Sequence, residues 1–136
     1  MQTASADFML RINSKPGNIR FLESFVERLA TEHQLTKQQY QNIYLCLTEA
    51  VTNAIVHGNQ ADERKKVVVR AAYSDQLLVI KVEDEGCGFD LRKLPDPTKT
   101  ENIYNIGGRG VFIIHNYADT VRYERNGCAV EMGFNI

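Results

Sequence analysis

Tryptophan is absent from these 136 residues, proline occurs three times, and no apolar run approaches the about 20 residues that a bilayer-spanning helix needs. The N-terminal stretch MQTASADFMLRINSK also lacks the apolar centre of a secretory signal, so a soluble, cytoplasmic protein without membrane contact is expected. Cysteine is scarce and odd in number. Cys46, Cys87 and Cys128 show no C-x-x-C spacing, which argues against a disulfide framework and a zinc site and leaves three free thiols. An excess of either charge is missing too: 16 basic against 17 acidic residues give a net charge of -1, no basic field for nucleic acid. A direct nucleic-acid partner is not expected.

What is present suits one globular domain over residues 1–136, 43% hydrophobic and 24% charged, with enough chain to bury a core. Asp7 to Lys15 has the pattern of a short strand, broken by Pro16-Gly17-Asn18. Ile19, Leu22, Phe25, Val26 and Leu29 then recur at helical spacing in a helix ending near His33. Thr36 and Gln39 form a capping-box pattern for a second helix, with Gly58 as its C-terminal cap. Lys66–Tyr73 and Leu77–Asp84 are predicted strands of a hairpin around Ser74-Asp75-Gln76. Phe89 to Gly108 has little regular pattern, and segments of that length are uncommon unless functional. A short apolar helix, VFIIHNYA, follows Gly107-Gly108-Arg109-Gly110. The strands Thr120–Arg125 and Cys128–Ile136 close the chain around Asn126-Gly127, a strong hairpin signal. This order predicts an α+β fold of two layers, a mostly antiparallel sheet covered on one face by helices.

Chemistry concentrates on the second helix. Glu49, Asn53 and His57 lie four residues apart and share one stripe, about 200° around from the core stripe of Leu47, Val51 and Ile55. Leu45, Ala50, Ala54 and Val56 make much of the remaining circumference apolar, so the side bearing the polar stripe is expected to be partly covered, as a pocket wall is. Such a stripe is either a solvated helix face or a place to hold a metal ion and a proton acceptor.

Strand parity adds a second group. Leu78, Ile80 and Val82 share one face, and alternation sends Asp84 to that same apolar side. A buried carboxylate needs donors, from a ligand such as a purine amino group or from a buried protein group. Gly86 and Gly88 follow it, in either an ordinary strand-ending turn or a close backbone approach to a ligand. Gly107 to Gly110 before a helix offers backbone N–H groups suited to phosphate, although neither the Walker pattern nor a dinucleotide fingerprint is met.

Taken in order, the Glu/Asn helix, the Asp-x-Gly-x-Gly turn, the long segment and the Gly-x-Gly before a helix resemble the ATP-binding domain of gyrase, histidine kinases and mismatch-repair ATPases, the GHKL superfamily. The resemblance covers nearly the whole chain and implies the Bergerat-type ATP-binding fold. EAVTNAIVHGN and GGRGVFIIHNYADTV look most like the bacterial anti-sigma factor serine/threonine-protein kinases. The resemblance implies ATP and Mg2+ as cofactors, with Asn53 on the magnesium and Glu49 as general base. It further implies that Asp84 recognises the adenine amino group, that Gly86 and Gly88 pass close to the base, and that Gly108 and Gly110 bring N–H groups to the phosphates. Arg109 would meet phosphate or a partner, or else be solvated. His57 matches the motif but is expected to be structural. Family members often carry a threonine after the glycine of the last hairpin, where its hydroxyl helps hold adenine. Cys128 stands there instead, facing the same way as Val130, Met132 and Phe134 with weaker hydrogen-bonding capacity.

The implied activity is a partner switch: a kinase that holds a sigma factor or phosphorylates a small anti-anti-sigma protein of STAS type on serine. A homodimer would be in keeping with the family. The alternative is a non-catalytic module that reports ATP or ADP to a partner, against which Glu49 speaks, because a pure sensor needs no base. The length suits a free-standing kinase, with no phosphoacceptor hairpin as in histidine kinases and no second domain as in gyrase.

Overall fold

The computed structural model describes residues 8–86, 108–124 and 128–136. Strand β1 spans Phe8–Asn13, stopping two residues before the expected Lys15; Asp7 lies outside the described residues. Lys15 is extended and Pro16 opens a 3-10 turn, Pro16–Arg20, where a fixed φ suits the first helical position. Helix α1, Phe21–His33, buries Leu22, Phe25, Val26 and Leu29, and stops where Gln34 takes a left-handed φ of 52°.

Thr36 caps helix α2, Lys37–Asn53, with the reciprocal bonds expected from the sequence. The Gln39 N–H donates to Thr36 Oγ1 at 3.1 Å and the Thr36 N–H donates to Gln39 Oε1 at 2.8 Å. The helix then widens into a π turn, Ala54–Gly58.

Strands β2 (Lys66–Ser74) and β3 (Leu77–Glu83) form a hairpin whose turn is Asp75-Gln76 alone, since Ser74 already pairs with Leu77. Both turn residues have positive φ, 53° and 66°, which matches the right-handed twist of the strands at the cost of placing two side chains in the left-handed region. Helix α3 is Gly108–Tyr117, and β4 (Thr120–Glu124) and β5 (Ala129–Asn135) complete a five-stranded sheet of order β1-β2-β3-β5-β4. Every ladder is antiparallel.

One sheet face carries Val67, Val69, Ala71, Leu78, Ile80, Val82, Met132 and Phe134, buried in one core with α1, α2 and Ile114 of α3. The other face is a charged lattice. Arg70 meets Glu83 at 3.6 Å, Lys81 meets Glu124 at 2.9 Å, and Arg122 bridges Glu124 and Glu131 at 2.8 Å each. The expected α+β two-layer arrangement is therefore present. Among the described residues no helix is long and apolar enough to cross a membrane.

Two acids inside this fold give it an alkaline limit. Burial pushes the Cys46 thiol up to about 12 from 9.0, and burial pushes the Tyr123 phenol up to about 12 from 10.0. The folded chain keeps protons that the unfolded chain releases, so this part of the stability is full below pH 9 and is lost as pH rises toward about 12. Urea unfolding at successive pH values should show stability falling above pH 9, by up to about 1.4 kcal/mol per pH unit from Cys46. Cys46→Ala should flatten the first part of that decline.

Candidate functional site

Helix α2 separates its two stripes as its sequence requires. Leu47, Val51 and Ile55 are fully buried, Glu49 and Asn53 are partly exposed, and His57 is exposed. The apolar residues beside the polar stripe divide: Ala50 and Ala54 are buried, whereas Leu45 and Val56 are 37% and 42% exposed. The expected cover over that side is thus partial among the described residues. Glu49 lies close enough to the core edge that its charge adds, after burial, to the upward shift of the Cys46 thiol.

Asp84 is where parity puts it, one residue beyond β3 on the core-facing side and 9% exposed. The Gly86 N–H donates to Asp84 Oδ1 at 2.8 Å, and the Asp84 N–H donates to the Cys128 carbonyl at 2.9 Å. Cys128 does point into this region, its Sγ donating to the Gly86 carbonyl at 3.0 Å. A weak thiol donor thus ties the start of the β5 region to the turn after β3.

Space around the carboxylate is set by two glycines. A Cβ on Gly58 would stand 2.3 Å from Asp84 Oδ2, and a Cβ on Gly86 would stand 1.9 Å from the Gly58 carbonyl oxygen. No side chain fits at either place. Gly58 is therefore required by this approach and is not the left-handed helix cap expected from its position, since its φ is not in that region. Gln60 and Ala61 reverse the chain instead, with φ of 53° and 55°. The π turn helps: the Asn59 N–H reaches back five residues to the Ala54 carbonyl at 2.8 Å, and such wide turns frequently mark functional sites.

One member of this region was not anticipated. Asn59 is fully buried beneath the Asp84 turn, accepting from the Glu85 N–H at 2.8 Å and donating to Ser14 Oγ at 2.7 Å and the Lys66 carbonyl at 2.9 Å. An asparagine after glycine has the signature of a turn residue, and its partners lie up to 45 positions away. Only the Asn in His57-Gly58-Asn59 hinted at it.

Gly108, Arg109 and Gly110 form the first turn of α3 rather than a loop before it, so backbone N–H groups of that turn stand at the N-terminus of a helix that packs on α2. Gly88, the remainder of the long segment to Gly107, and the Asn126-Gly127 turn lie outside the described residues.

The residues present fit a purine nucleotide with a magnesium ion. Among the described residues no three His, Cys, Asp or Glu side chains converge into a cation site; magnesium, which keeps water and phosphate ligands, needs no such cluster. At the other end the Asp84 carboxylate is buried, its Oδ1 accepting from the Gly86 N–H, and the two glycines let the Gly58 and Gly86 backbones lie close to it and to each other.

Comparison with known proteins identifies the family. A family model, the histidine kinase-like ATPase domain, matches residues 12–134. The chain belongs to the histidine kinase-like ATPase domain family. It is 29% identical over 114 residues to an anti-sigma F factor of Clostridium perfringens, covering 82% of this chain and 81% of that protein. It is 25% identical over 129 residues to the serine-protein kinase RsbW of Bacillus subtilis, covering 90% and 81%. The RsbW of Listeria monocytogenes is 25% identical over 139 residues, covering 97% and 88%. A crystal structure of the RsbU and RsbW domains of a Mycobacterium tuberculosis protein superposes with a TM-score of 0.66 at 15% identity, over 96% of this chain. This chain spans 32% of that longer one, and the likeness is one of fold.

Gly58→Ala tests the carboxylate seat. Its Cβ must displace Asp84, so unfolding free energy should fall by about 1–3 kcal/mol in urea titrations, and equilibrium ATP binding should weaken in the variant that remains folded.

Proposed function

We propose that this chain is an ATP-dependent serine-protein kinase that binds a sigma factor and phosphorylates a small anti-anti-sigma protein of STAS type on serine. The observation that supports it most is the Asp84 carboxylate seated against Gly58 and Gly86, at the foot of the helix that carries Glu49 and Asn53. A family whose relatives are anti-sigma factors and serine-protein kinases is in keeping with this reading. Residues 1–136 would act as one domain, in the cytoplasm, and a homodimer would suit it.

In this reading Asp84 accepts a hydrogen bond from the adenine amino group, with Gly86 and Gly88 allowing close passage of the backbone. Cys128 borders the same place with a thiol where a hydroxyl would bond more strongly. Asn53 holds magnesium, which when bound would neutralise charge on the phosphates. Gly108 and Gly110, in the first turn of α3, would bring N–H groups to those phosphates, and Arg109 would meet either phosphate or the protein partner. Glu49, one helical turn before Asn53, accepts the proton of the attacking serine hydroxyl, a weak nucleophile at neutral pH. His57, exposed at the end of the same stripe, takes no part in proton transfer.

Phosphoryl transfer depends mainly on in-line positioning and charge neutralisation, so the roles of the two helix residues separate experimentally. Asn53→Ala should abolish magnesium-dependent ATP binding in equilibrium titrations, and unchanged affinity would refute the metal assignment. Glu49→Gln should bind ATP as the parent does but transfer phosphate to serine about 10²–10⁴-fold more slowly. Labelled ATP, a panel of candidate anti-anti-sigma proteins and mapping of phosphoserine provide the readout. Full transfer by Glu49→Gln would rule out a base, and no transfer by the parent to any candidate would favour the nucleotide-sensing module.

A further inference from the structure

The carboxamide of Asn59 joins three separate segments at a point directly under the Asp84 turn. Its Oδ1 accepts from the Glu85 N–H at 2.8 Å, and its Nδ2 donates to Ser14 Oγ at 2.7 Å and to the Lys66 carbonyl at 2.9 Å. Ser14 Oγ in turn donates to the Lys65 carbonyl at 3.0 Å, and both Ser14 and Asn59 are fully sealed from solvent. A buried amide satisfied at both ends is held in one orientation, since rotating it would set its NH2 against the Glu85 N–H and its oxygen against a carbonyl.

The attachment is selective about what it fixes. Asn59 grips the backbone of Glu85, between Asp84 and Gly86, and follows Gly58 directly in the chain. Gly58 is the residue against which the Asp84 carboxylate lies. One end of the turn is therefore bonded to the chain that leaves α2, and the carboxylate rests on the same stretch. Any shift of the turn by the width of one hydrogen bond would carry Asp84 off its seat.

We propose that Asn59 is a positioning residue for base recognition, setting the height and direction of the Asp84 carboxylate relative to α2 so that it meets an adenine amino group. This rests on the reading of Asp84 given above. Asn59 itself does not touch nucleotide; it acts through the Glu85 N–H. Its effect falls on the choice of base, and the phosphate half of the site, built on Asn53 and the first turn of α3, is left as it was.

Inosine triphosphate, whose base carries an exocyclic carbonyl oxygen in place of the amino group, separates this role from general loss of structure. In Asn59→Ala, ATP affinity should fall about tenfold or more while affinity for inosine triphosphate stays within about twofold, and kcat at saturating ATP should change little. Exchange of the Glu85 amide proton, slow in the parent, should become fast. Equal weakening of both nucleotides, or no weakening of ATP, would overturn the proposal. Should Asn59→Ala not fold, Ser14→Ala removes one partner of the same carboxamide and should narrow the preference for ATP in the same direction, and an unchanged preference counts against the role. Asp84→Asn is the control. If it loses the preference and Asn59→Ala retains it, the positioning role alone is wrong. If Asp84→Asn itself still prefers ATP, the reading of Asp84 fails and this inference with it.

Discussion

Burying the Asp84 carboxylate at the end of a strand whose preceding alternate residues, Leu78, Ile80 and Val82, are sealed in the core has to be compensated by donors and by room. The donor is local and the room comes from another element. The Gly86 N–H, two residues on, turns back to Oδ1, and Gly58, at the end of the π turn after α2, contributes only the absence of a side chain. This contact decides which residue must be glycine, and it holds the turn after β3 against the chain that leaves α2. A hydrophobic core alone orients sheet and helix loosely; a carboxylate wedged between two glycine backbones allows much less latitude.

Helix α2 can serve both layers because its period keeps its duties apart. Leu47, Val51 and Ile55 hold it on the sheet with no exposed surface, and that grip keeps Glu49 and Asn53 steady on another side. Functional groups on a packed helix are positioned with less freedom than the same groups on a loop. The capping box at Thr36 fixes the other end, so the helix is anchored at both termini and along its length.

Much of this arrangement was legible in the chain because it follows from short-range periodicity. The two stripes of α2, the capping box, the strand pairs and the inward aim of Asp84 are all consequences of periods of 3.6 and 2 acting on neighbouring residues. The hairpin turn was placed one residue too early because Ser74 looks like a turn former, yet its backbone continues the ladder opposite Leu77. The reason for Gly58 was hidden, since a glycine at a helix end has an ordinary explanation as a cap and the real one lies 26 residues downstream at Asp84. Asn59 was missed for the same cause: what it does depends on Ser14, Lys66 and Glu85, and no local pattern brings those together. The π turn is likewise a tertiary product, with no distinguishing residue in Ala54-Ile-Val-His-Gly58.

The sheet order β1-β2-β3-β5-β4 bears on how the chain is made as well as on how it stands. β5, the last described strand in the chain, lies between β3 and β4, so β4 has no neighbour in the sheet until residues 129–135 are available. The first three strands pair in chain order, β1 with β2 across two helices and β2 with β3 through a hairpin, whereas β4 meets the sheet only through β5. The ladder between β3 and β5 is the long-range one, and such pairing is slow relative to local hairpin closure. The same ladder brings Cys128 to the Gly86 carbonyl and its own carbonyl to the Asp84 N–H, so the buried carboxylate has its full surroundings only where β5 is seated beside β3.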